Sequence, residues 1–369
     1  MKPKSSVRRS RAGSNKGAVR TPLPILGPPS DKKIARQIEK LLGSARRIAI
    51  VAHERPDGDA LGSTVALWHF LKAQGYEAQV WVADPLPHRY EYLNAPGCFL
   101  RVGPGDRPTC DTFIALDTTD MNRLGVSIPE CCLSTRVVNI DHHLSNLNFG
   151  ALNWVDIKAA AAGEMVWRLA SACGWPAPHA ALEALYTALV TDTGQFAYSN
   201  TTSRVLHMAA ELVERGIDTE TFWRRIYLNK TQRELNLEAR ARGSLEVWSE
   251  GRISAIALTQ SDFAATGTGP EDAQDFASIP RSLSGAELAL FFYAVDGGKA
   301  TKVSIRSVRG LDACKLAQKF GGGGHRQAAG CTLALALPKS KDLFRRAAEE
   351  AVRKELGAKK EPRRAAATR

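Results

Sequence analysis

Short apolar segments rich in isoleucine and valine constrain the fold of the first half of this chain most strongly. The four segments are Arg47–Ala52 (RIAIVA), Glu77–Ala83, Thr112–Leu116 (TFIAL) and Arg136–Ile140 (RVVNI). Continuous apolar runs of this length are typical of strands buried on both faces of a parallel sheet. A segment with helical spacing, Ala60–Gln74, follows the first run and stops at Gly75. The pattern predicts an α/β domain with a mostly parallel sheet flanked by helices.

The second half of the chain changes from helices to strands. Helices are predicted at Ala160–Cys173, Ala180–Val190, Ser203–Arg215 and Thr219–Leu228. Thr231–Gly243 is polar with helical spacing, which predicts a helix that links two domains. Beyond it, strands are predicted at Leu245–Trp248, Ile253–Leu258, Glu287–Val295, Thr301–Val308 and Cys331–Leu337, with a helix at Leu311–Phe320. Strands with few intervening helices predict a smaller α+β domain.

The net charge of +12 lies outside these predicted domains. Residues 1–30 carry seven basic side chains and no acid, and residues 351–369 carry seven basic and two acidic ones, so the two tails hold the whole excess. A composition of Arg, Lys, Ser, Pro, Gly and Ala predicts that both tails are disordered. Loose RNA contact through the tails, a solubilising role and, at the N-terminus, an organelle transit peptide stay open as alternatives.

The remaining composition predicts a cytoplasmic protein with packed cores. The hydrophobic fraction of 44% and the charged fraction of 24% are ordinary for a globular chain. No stretch approaches the ~18 consecutive apolar residues of a membrane helix. The N-terminus also lacks the apolar centre of a secretory signal. The seven cysteines show no zinc-site spacing, which indicates reduced and mostly buried thiols.

Acids and histidines follow these predicted elements in four places. They are His53, Asp57 and Asp59 after the first strand, Asp117 with Asp120 after TFIAL, Asp141-His142-His143 after RVVNI, and Asp192 after an apolar helix. The carboxyl ends of parallel strands share one edge of a sheet, so three of these groups are expected to meet there. Alone, Asp59 is equally typical of a helix cap, Asp117 of a loop residue and the His pair of a surface loop. Their coincidence at element ends in one domain favours a shared site.

A site with this many carboxylates requires cations to hold the charges together. Carboxylates with a few imidazoles and no thiolates suit manganese, magnesium or similar ions better than a structural zinc. The number of acids favours two ions over one. Two neighbouring divalent ions are an arrangement that supports in-line displacement at phosphorus.

A glycine run in the second domain is a candidate anion site. Gly321–Gly324 precedes His325, and glycines allow backbone N–H groups to approach an anion closely. Arg306, on a predicted strand, can form a bidentate pair with a phosphate. A flexible linker is the alternative for a glycine run. The position directly between a predicted helix and a predicted strand argues against a linker.

Six segments together resemble a known family. They are HERPDGDALGS (53–63), ALDTTD (115–120), NIDHHLSN (139–146), VTDTGQF (190–196), KVSIRS (302–307) and FGGGGHRQAAG (320–330). They resemble the DHH phosphoesterases and, within them, the NrnA-type oligoribonucleases that also dephosphorylate pAp. The resemblance covers about residues 31–350. It implies a basic tail over 1–30, a DHH catalytic domain over 31–230, a linker helix over 231–243, a substrate-binding domain over 244–350 and a second tail over 351–369.

The resemblance also implies a role for individual residues. The implied metal ligands are His53, Asp57, Asp59, Asp117, His142 and Asp192. Asp117 would bridge the ions, with His53 and Asp57 on one ion and Asp59 and His142 on the other, while the sharing of Asp192 is left open. His143 would face the scissile phosphate and, with Asp117, form the catalytic pair. The implied substrate-binding residues are Arg306, Gly322, Gly323, Gly324 and His325.

The implied activity is hydrolysis of oligoribonucleotides of two to five nucleotides, together with dephosphorylation of pAp. The cofactors would be two divalent cations, manganese first and magnesium or cobalt as alternatives. A phosphate clamp at a fixed distance from the metals would select short substrates, and a body without excess positive charge agrees with that. A phosphodiesterase for cyclic or linear dinucleotides is the alternative enzyme, and a non-catalytic RNA-binding protein is the alternative from another class. A homodimer stays open. Ala160-Ala161-Ala162-Gly163 departs from the family, which often has hydroxyl residues there.

Overall fold

The computed structural model describes residues 29–103, 105–128, 136–307, 311–324 and 326–356. The chain divides into two compact units after Leu228. Most of both basic tails, together with His325, lies outside the described residues. None of the described helices is long and apolar enough to cross a lipid bilayer.

The first unit is built on a six-stranded parallel sheet. Its strands are β1 (Ile48–Val51), β2 (Ala78–Val82), β3 (Phe99–Arg101), β4 (Thr112–Leu116), β5 (Val137–Asp141) and β6 (Leu152–Val155). They lie in the order β3-β2-β1-β4-β5-β6, and all five pairings are parallel. β1, β4 and β5 are buried along their whole length. The predicted α/β fold is confirmed.

Within the described part of the first unit, six α-helices surround this sheet. They are α1 (Pro29–Leu42), α2 (Gly58–Ala73), α3 (Ala162–Ala172), α4 (His179–Asp192), α5 (Ser203–Glu214) and α6 (Thr219–Tyr227), with short 3₁₀ helices at His88–Leu93 and Met121–Arg123. α2 is buried on nearly every side, as expected for a helix that is apolar all round. Its Gly62 lies so close to α4 that a Cβ atom would be 2.5 Å from the Ala184 carbonyl oxygen. Glycine at this position therefore allows the backbones of α2 and α4 to pack directly.

The strand order creates the place for a site. β1 leads to β2 and β3 on one side, and the chain then returns to continue through β4, β5 and β6 on the other. Where the order reverses, loops leave neighbouring strands in opposite directions and open a crevice at the carboxyl ends. The residues after β1, β4 and β5 therefore lie at the crevice.

The second unit contains a mixed sheet. Its strands are β7 (Glu246–Trp248), β8 (Ile253–Leu258), β9 (Leu288–Val295), β10 (Ala300–Ser307), β11 (Gly323–Gly324) and β12 (Ala328–Leu333), in the order β11-β12-β10-β9-β8-β7. β8 and β9 are parallel, and the other pairings are antiparallel. The helices are α7 (Gln232–Gly243), α8 (Gln260–Thr266), α9 (Ser278–Arg281), α10 (Ala313–Gln318) and α11 (Leu337–Leu356), with 3₁₀ turns at Pro270–Ala277 and Asp296–Gly298.

Several element boundaries differ from those predicted. The linker helix forms as α7, capped reciprocally by Thr231 and Glu234, but its Leu237 and Ala241 pack into the core of the second unit. α11 reaches Leu356, so residues 351–356 are helical and are not part of a disordered tail. α1 likewise starts at Pro29, inside the predicted first tail. The last strand ends at Leu333, not at Leu337, because the alternating leucines beyond it belong to a turn and to the start of α11.

Candidate metal centre

His53 and Asp57 lie between β1 and α2. Asp57 is the N-cap of α2, and its carboxylate accepts hydrogen bonds from the backbone N–H groups of Asp59 (3.1 Å) and Ala60 (3.0 Å). The Nδ1 atom of His53 is 2.8 Å from the Glu54 carbonyl oxygen, to which it can donate. That hydrogen bond leaves Nε2 directed at two carboxylates, 3.9 Å from Asp57 and 3.7 Å from Asp117. These three residues form one group with metal-ligand spacing.

Asp117 lies at the centre of the site, directly after β4. Its backbone has a φ of 52°, a left-handed conformation that costs energy for a residue with a side chain. The residue is 3% exposed, and its Oδ1 atom has no hydrogen-bond partner in the described structure. Leaving a buried carboxylate oxygen unpaired is costly unless a cation compensates it. The unpaired oxygen therefore fits a metal ligand.

His142, Asp59 and Asp192 form a second group with metal-ligand spacing. The Nε2 atom of His142 lies 3.6 Å from Asp59, 3.3 Å from Asp117 and 3.7 Å from Asp192. Its Nδ1 atom faces the Ala159 carbonyl oxygen at 3.3 Å. Donation of the Nδ1 proton to this carbonyl leaves the Nε2 lone pair free for an ion, as is usual for metal-binding histidines. Asp117 thus contacts both groups.

The electrostatics of the second group show an excess of negative charge. Burial raises the pKa of Asp59 well above its ordinary value, and the charges of Asp117 and Asp192 add to that effect. Burial, with Asp117 and Asp57, raises the pKa of Asp192 to about 7, although His142 acts in the opposite direction. Burial lowers the pKa of His142, but contact with Asp117 and the charges of Asp192 and Asp59 outweigh it and raise that pKa. The carboxylates are short of positive charge, which a divalent cation would supply.

His143 is oriented by Asp141, the last residue of β5. Its Nδ1 atom donates a 2.7 Å hydrogen bond to Asp141 Oδ1, and Asp141 Oδ2 accepts from Asn146 at 2.6 Å. The pair fixes the imidazole tautomer and ring direction. Burial lowers the pKa of His143, but the hydrogen bond to Asp141 and the charge of Asp117 raise it overall. The sequence placed Asp141 in the expected cluster without indicating a role for it, and it did not predict Asn146, although both lie in the NIDHHLSN segment.

Asp120 and Asp59, two of the acids at element ends, both cap helices in the structure. Asp120 caps the 3₁₀ helix Met121–Arg123 through a 2.8 Å hydrogen bond from Asn122, and it belongs to none of the metal-type groups of the described chain. Asp59 does act as a cap, but for α3 and not for its own helix. It accepts hydrogen bonds from Ala162 N (2.6 Å) and Gly163 N (3.0 Å). The N-cap of α3, Ala161, has no side chain able to do this.

In the second unit the predicted anion site is only partly described. Arg306 lies in β10, half-buried, and its Nη1 atom donates to the Ile305 carbonyl oxygen at 3.0 Å. Gly323 and Gly324 form β11, which pairs with β12. A Cβ atom on Gly322 would be 2.2 Å from the Gly330 carbonyl oxygen, whereas one on Gly323 would meet nothing within 4 Å. Close packing against β12 therefore explains glycine at position 322, and no such contact explains it at 323.

Family models match residues in both units of the chain. Residues 47–189 match the model of the DHH family, N-terminal domain, and residues 255–354 match that of the DHHA1 domain. A relative from Thermus thermophilus, named bifunctional oligoribonuclease and PAP phosphatase NrnA, is 36% identical over 294 residues, which cover 78% of this chain and 84% of the relative. The chain belongs to the DHH family.

Two further matches of this DHH protein extend over most of its length. The Bacillus subtilis protein with the same NrnA name is 26% identical over 290 residues, which cover 78% of this chain and 89% of the relative. The solved structure of an exopolyphosphatase-related protein from Bacteroides fragilis superimposes with a TM-score of 0.79 at 25% identity. It covers 86% of this chain and 96% of that protein. The match to this structure includes both units.

Proposed function

We propose that this DHH protein is a two-metal phosphoesterase that hydrolyses oligoribonucleotides of two to five nucleotides and dephosphorylates pAp. The observation that carries the chemistry is the buried Asp117 carboxylate, one oxygen of which makes no described hydrogen bond. Asp117 belongs to two of the three described groups of metal-type ligands and lies 3.3 Å from His142 of the third. The names of the relatives from Thermus thermophilus and Bacillus subtilis support the substrates.

The proposed ligand sets follow the two groups. His53 and Asp57 would hold one ion, Asp59 and His142 would hold the other, and Asp117 would contribute to both. The spacing of Asp192 relative to Asp59 and His142 supports its assignment to the second ion. Divalent ions bound there would activate water and stabilise the charge that develops on the phosphoryl oxygens. We propose manganese, with magnesium or cobalt as alternatives, because the donors are carboxylates and imidazoles.

His143 is the proposed catalytic side chain. Because Asp141 accepts the Nδ1 proton, Nε2 is the atom that we propose faces the substrate. From there it can donate a hydrogen bond to a phosphoryl oxygen or protonate the leaving oxygen. The hydrogen bond to Asp141 and the charge of Asp117 raise the pKa of His143, which favours the protonated ring.

The substrate is proposed to bind also through the second unit, with Arg306, Gly322, Gly323, Gly324 and His325 as the phosphate-binding residues. A guanidinium pairs well with a terminal phosphate because its geometry permits two parallel hydrogen bonds. Binding the end of the substrate apart from the cleavage point would favour short chains. We further propose that the enzyme acts in the cytoplasm, that the basic tails make loose contact with RNA and that the chain can form a homodimer.

Turnover on a ladder of 5′-labelled RNAs from two to twenty-four nucleotides, and on pAp, tests this function. With manganese, the shortest RNAs and pAp should disappear first, and a chelator should stop both reactions. Activity confined to long RNAs would overturn the proposed substrates. Preferential hydrolysis of cyclic or linear dinucleotides over pAp would favour the alternative enzyme. Binding of RNA without turnover in the presence of manganese would favour a non-catalytic protein.

A further inference from the structure

Residues 156–163, which we call the support loop, run from the end of β6 into the first residues of α3 and contact two of the proposed metal ligands. The Ala159 carbonyl oxygen faces Nδ1 of His142, and the N–H groups of Ala162 and Gly163 bind the carboxylate of Asp59. Asn200 donates to the carbonyl oxygens of both Ala160 and Asp192, each at 3.1 Å. His142 and Asp59 belong to the second group, and Asn200 links the loop to the backbone of its third member, Asp192.

The ligands of the first group have other supports. Asp57 is fixed by the backbone of its own helix, and His53 by the carbonyl of its neighbour Glu54. Asp117 is fixed by its backbone N–H, which donates to the Ile140 carbonyl at 3.1 Å. None of these described hydrogen bonds involves the support loop. A shift of the loop would therefore move one ligand group relative to the other.

The support loop is itself anchored by a buried ionic network. Glu164, 1% exposed, accepts a 2.8 Å hydrogen bond from the backbone of Ala160 and forms a 2.5 Å ion pair with Arg204. Arg204 also donates to the Lys158 carbonyl oxygen at 3.1 Å. Both anchors thus bind backbone atoms of the loop from α3 and α5.

Arg168 completes the network from the other side. It lies 3.6 Å from Glu164 and donates 2.7 Å hydrogen bonds to Asp156, the first residue of the loop, and to Asp31 on α1. Buried ion pairs gain little stability over apolar packing, so their more useful property is a fixed geometry. Here the network fixes the backbone atoms that orient His142 and Asp59.

We propose that Glu164, with Arg204, is a positioning residue for the second metal subsite. It acts through the support loop and touches neither ion nor substrate. This inference rests on the metal centre of the proposed function. It gives the buried ionic network, which takes no direct part in the proposed reaction, the task of orienting metal ligands. Groups that orient metal ligands typically change metal affinity by about 10- to 100-fold when they are altered.

Manganese binding to the metal-free full-length protein, without substrate, tests the proposal. Titration calorimetry counts the ions, and electron paramagnetic resonance distinguishes isolated ions from a spin-coupled pair. Wild type should bind two ions as a coupled pair. Glu164→Gln keeps the size of the side chain but removes its charge, and it should weaken one of the two binding events by about 10-fold or more. In this variant, the signal of an isolated ion should persist at manganese concentrations at which wild type already shows the coupled pair.

The matched control is Glu211→Gln. Glu211 is also a buried glutamate that pairs with an arginine, Arg215 at 2.7 Å, but it makes no described contact with the support loop. This variant should bind both ions like wild type. Arg204→Lys is the second test variant, because it keeps the charge but loses the forked donor geometry. It should weaken the same binding event, and its partly exposed position makes loss of folding less of a concern.

Unchanged two-ion binding in both Glu164→Gln and Arg204→Lys would overturn the proposal, and so would equal weakening of both binding events. Wild type that binds no ion would overturn the metal centre as a whole. Wild type that binds two ions but hydrolyses neither pAp nor short RNA would overturn the proposed substrates and leave the positioning role standing.

Discussion

The two units hold their candidate residues in different ways. In the first unit, the candidate metal ligands and His143 follow or end β1, β4, β5 and α4, and hydrogen bonds fix several of them. In the second unit, the glycine segment forms a two-residue edge strand, and Gly323 and Gly324 are exposed. A site for chemistry needs fixed side chains, whereas a site for a phosphate end needs accessible backbone and one cation. Substitutions in the two units should therefore affect different kinetic constants.

Asp117→Asn should have the largest effect. The change removes the negative charge shared by both ligand groups, which is worth several kcal/mol of transition-state stabilisation. The turnover number should fall by about 10³-fold or more, since each 1.36 kcal/mol is a factor of ten. Initial rates on pAp with manganese measure this. Asp120→Asn, three residues away and used only as a cap, should retain nearly full activity. Similar rates for the two variants would contradict the bridging role.

Arg306→Ala tests the proposed phosphate-binding role of the second unit. Loss of a charge-assisted hydrogen bond costs about 1.5–3 kcal/mol, so the Michaelis constant for a 5′-phosphorylated dinucleotide should rise about 10- to 100-fold. The turnover number should change little, because the ligands are untouched. Lys302→Ala removes an equal charge from the same face of β10 and serves as control. A large fall in turnover number with an unchanged Michaelis constant would remove the phosphate-binding role.

Gly322→Ala separates packing from binding in the glycine segment. The added Cβ atom would clash with the backbone of Gly330 and should destabilise the second unit by about 1–3 kcal/mol. Gly323→Ala adds the same atom into open space and should leave stability nearly unchanged. Thermal unfolding of both variants measures the difference. Equal stability of the two variants would contradict the packing of β11 against β12.

The smallest predicted effect is the pH dependence of the metal-free protein. Burial raises the pKa of Asp192 to about 7 from an ordinary 3.8, so the folded state binds a proton that the unfolded state has released between these values. The raised pKa of His142 acts in the same direction above 6.5. The free energy of unfolding should therefore fall as the pH rises from about 4 to 8.

Manganese should reverse this trend, because the ion replaces the bound protons. Urea unfolding at several pH values, with chelator and with manganese, checks both statements. Stability of the metal-free protein that rises over this range would show that the carboxylates do not hold protons in excess.

Local patterns in the sequence were enough to predict most of the first unit. Short, largely apolar segments marked β1, β2, β4 and β5, and the acids and histidines directly after three of them were expected at one edge. That edge exists because parallel strands share their direction. The short edge strands β3 and β6 were missed, since three or four residues at the edge of a sheet show no clear periodicity.

Only the tertiary structure decided how the candidate residues are arranged. Asp59 caps a helix more than a hundred residues further along the chain, and Asp192 groups with Asp59 and His142 because glycines let α2 and α4 pack closely. The support loop and its ionic network join residues from α1, α3 and α5. Local sequence determines which segments become strands and helices and which reactive side chains end them. Long-range packing determines which of those side chains meet, because partner choice depends on contacts that no local window contains.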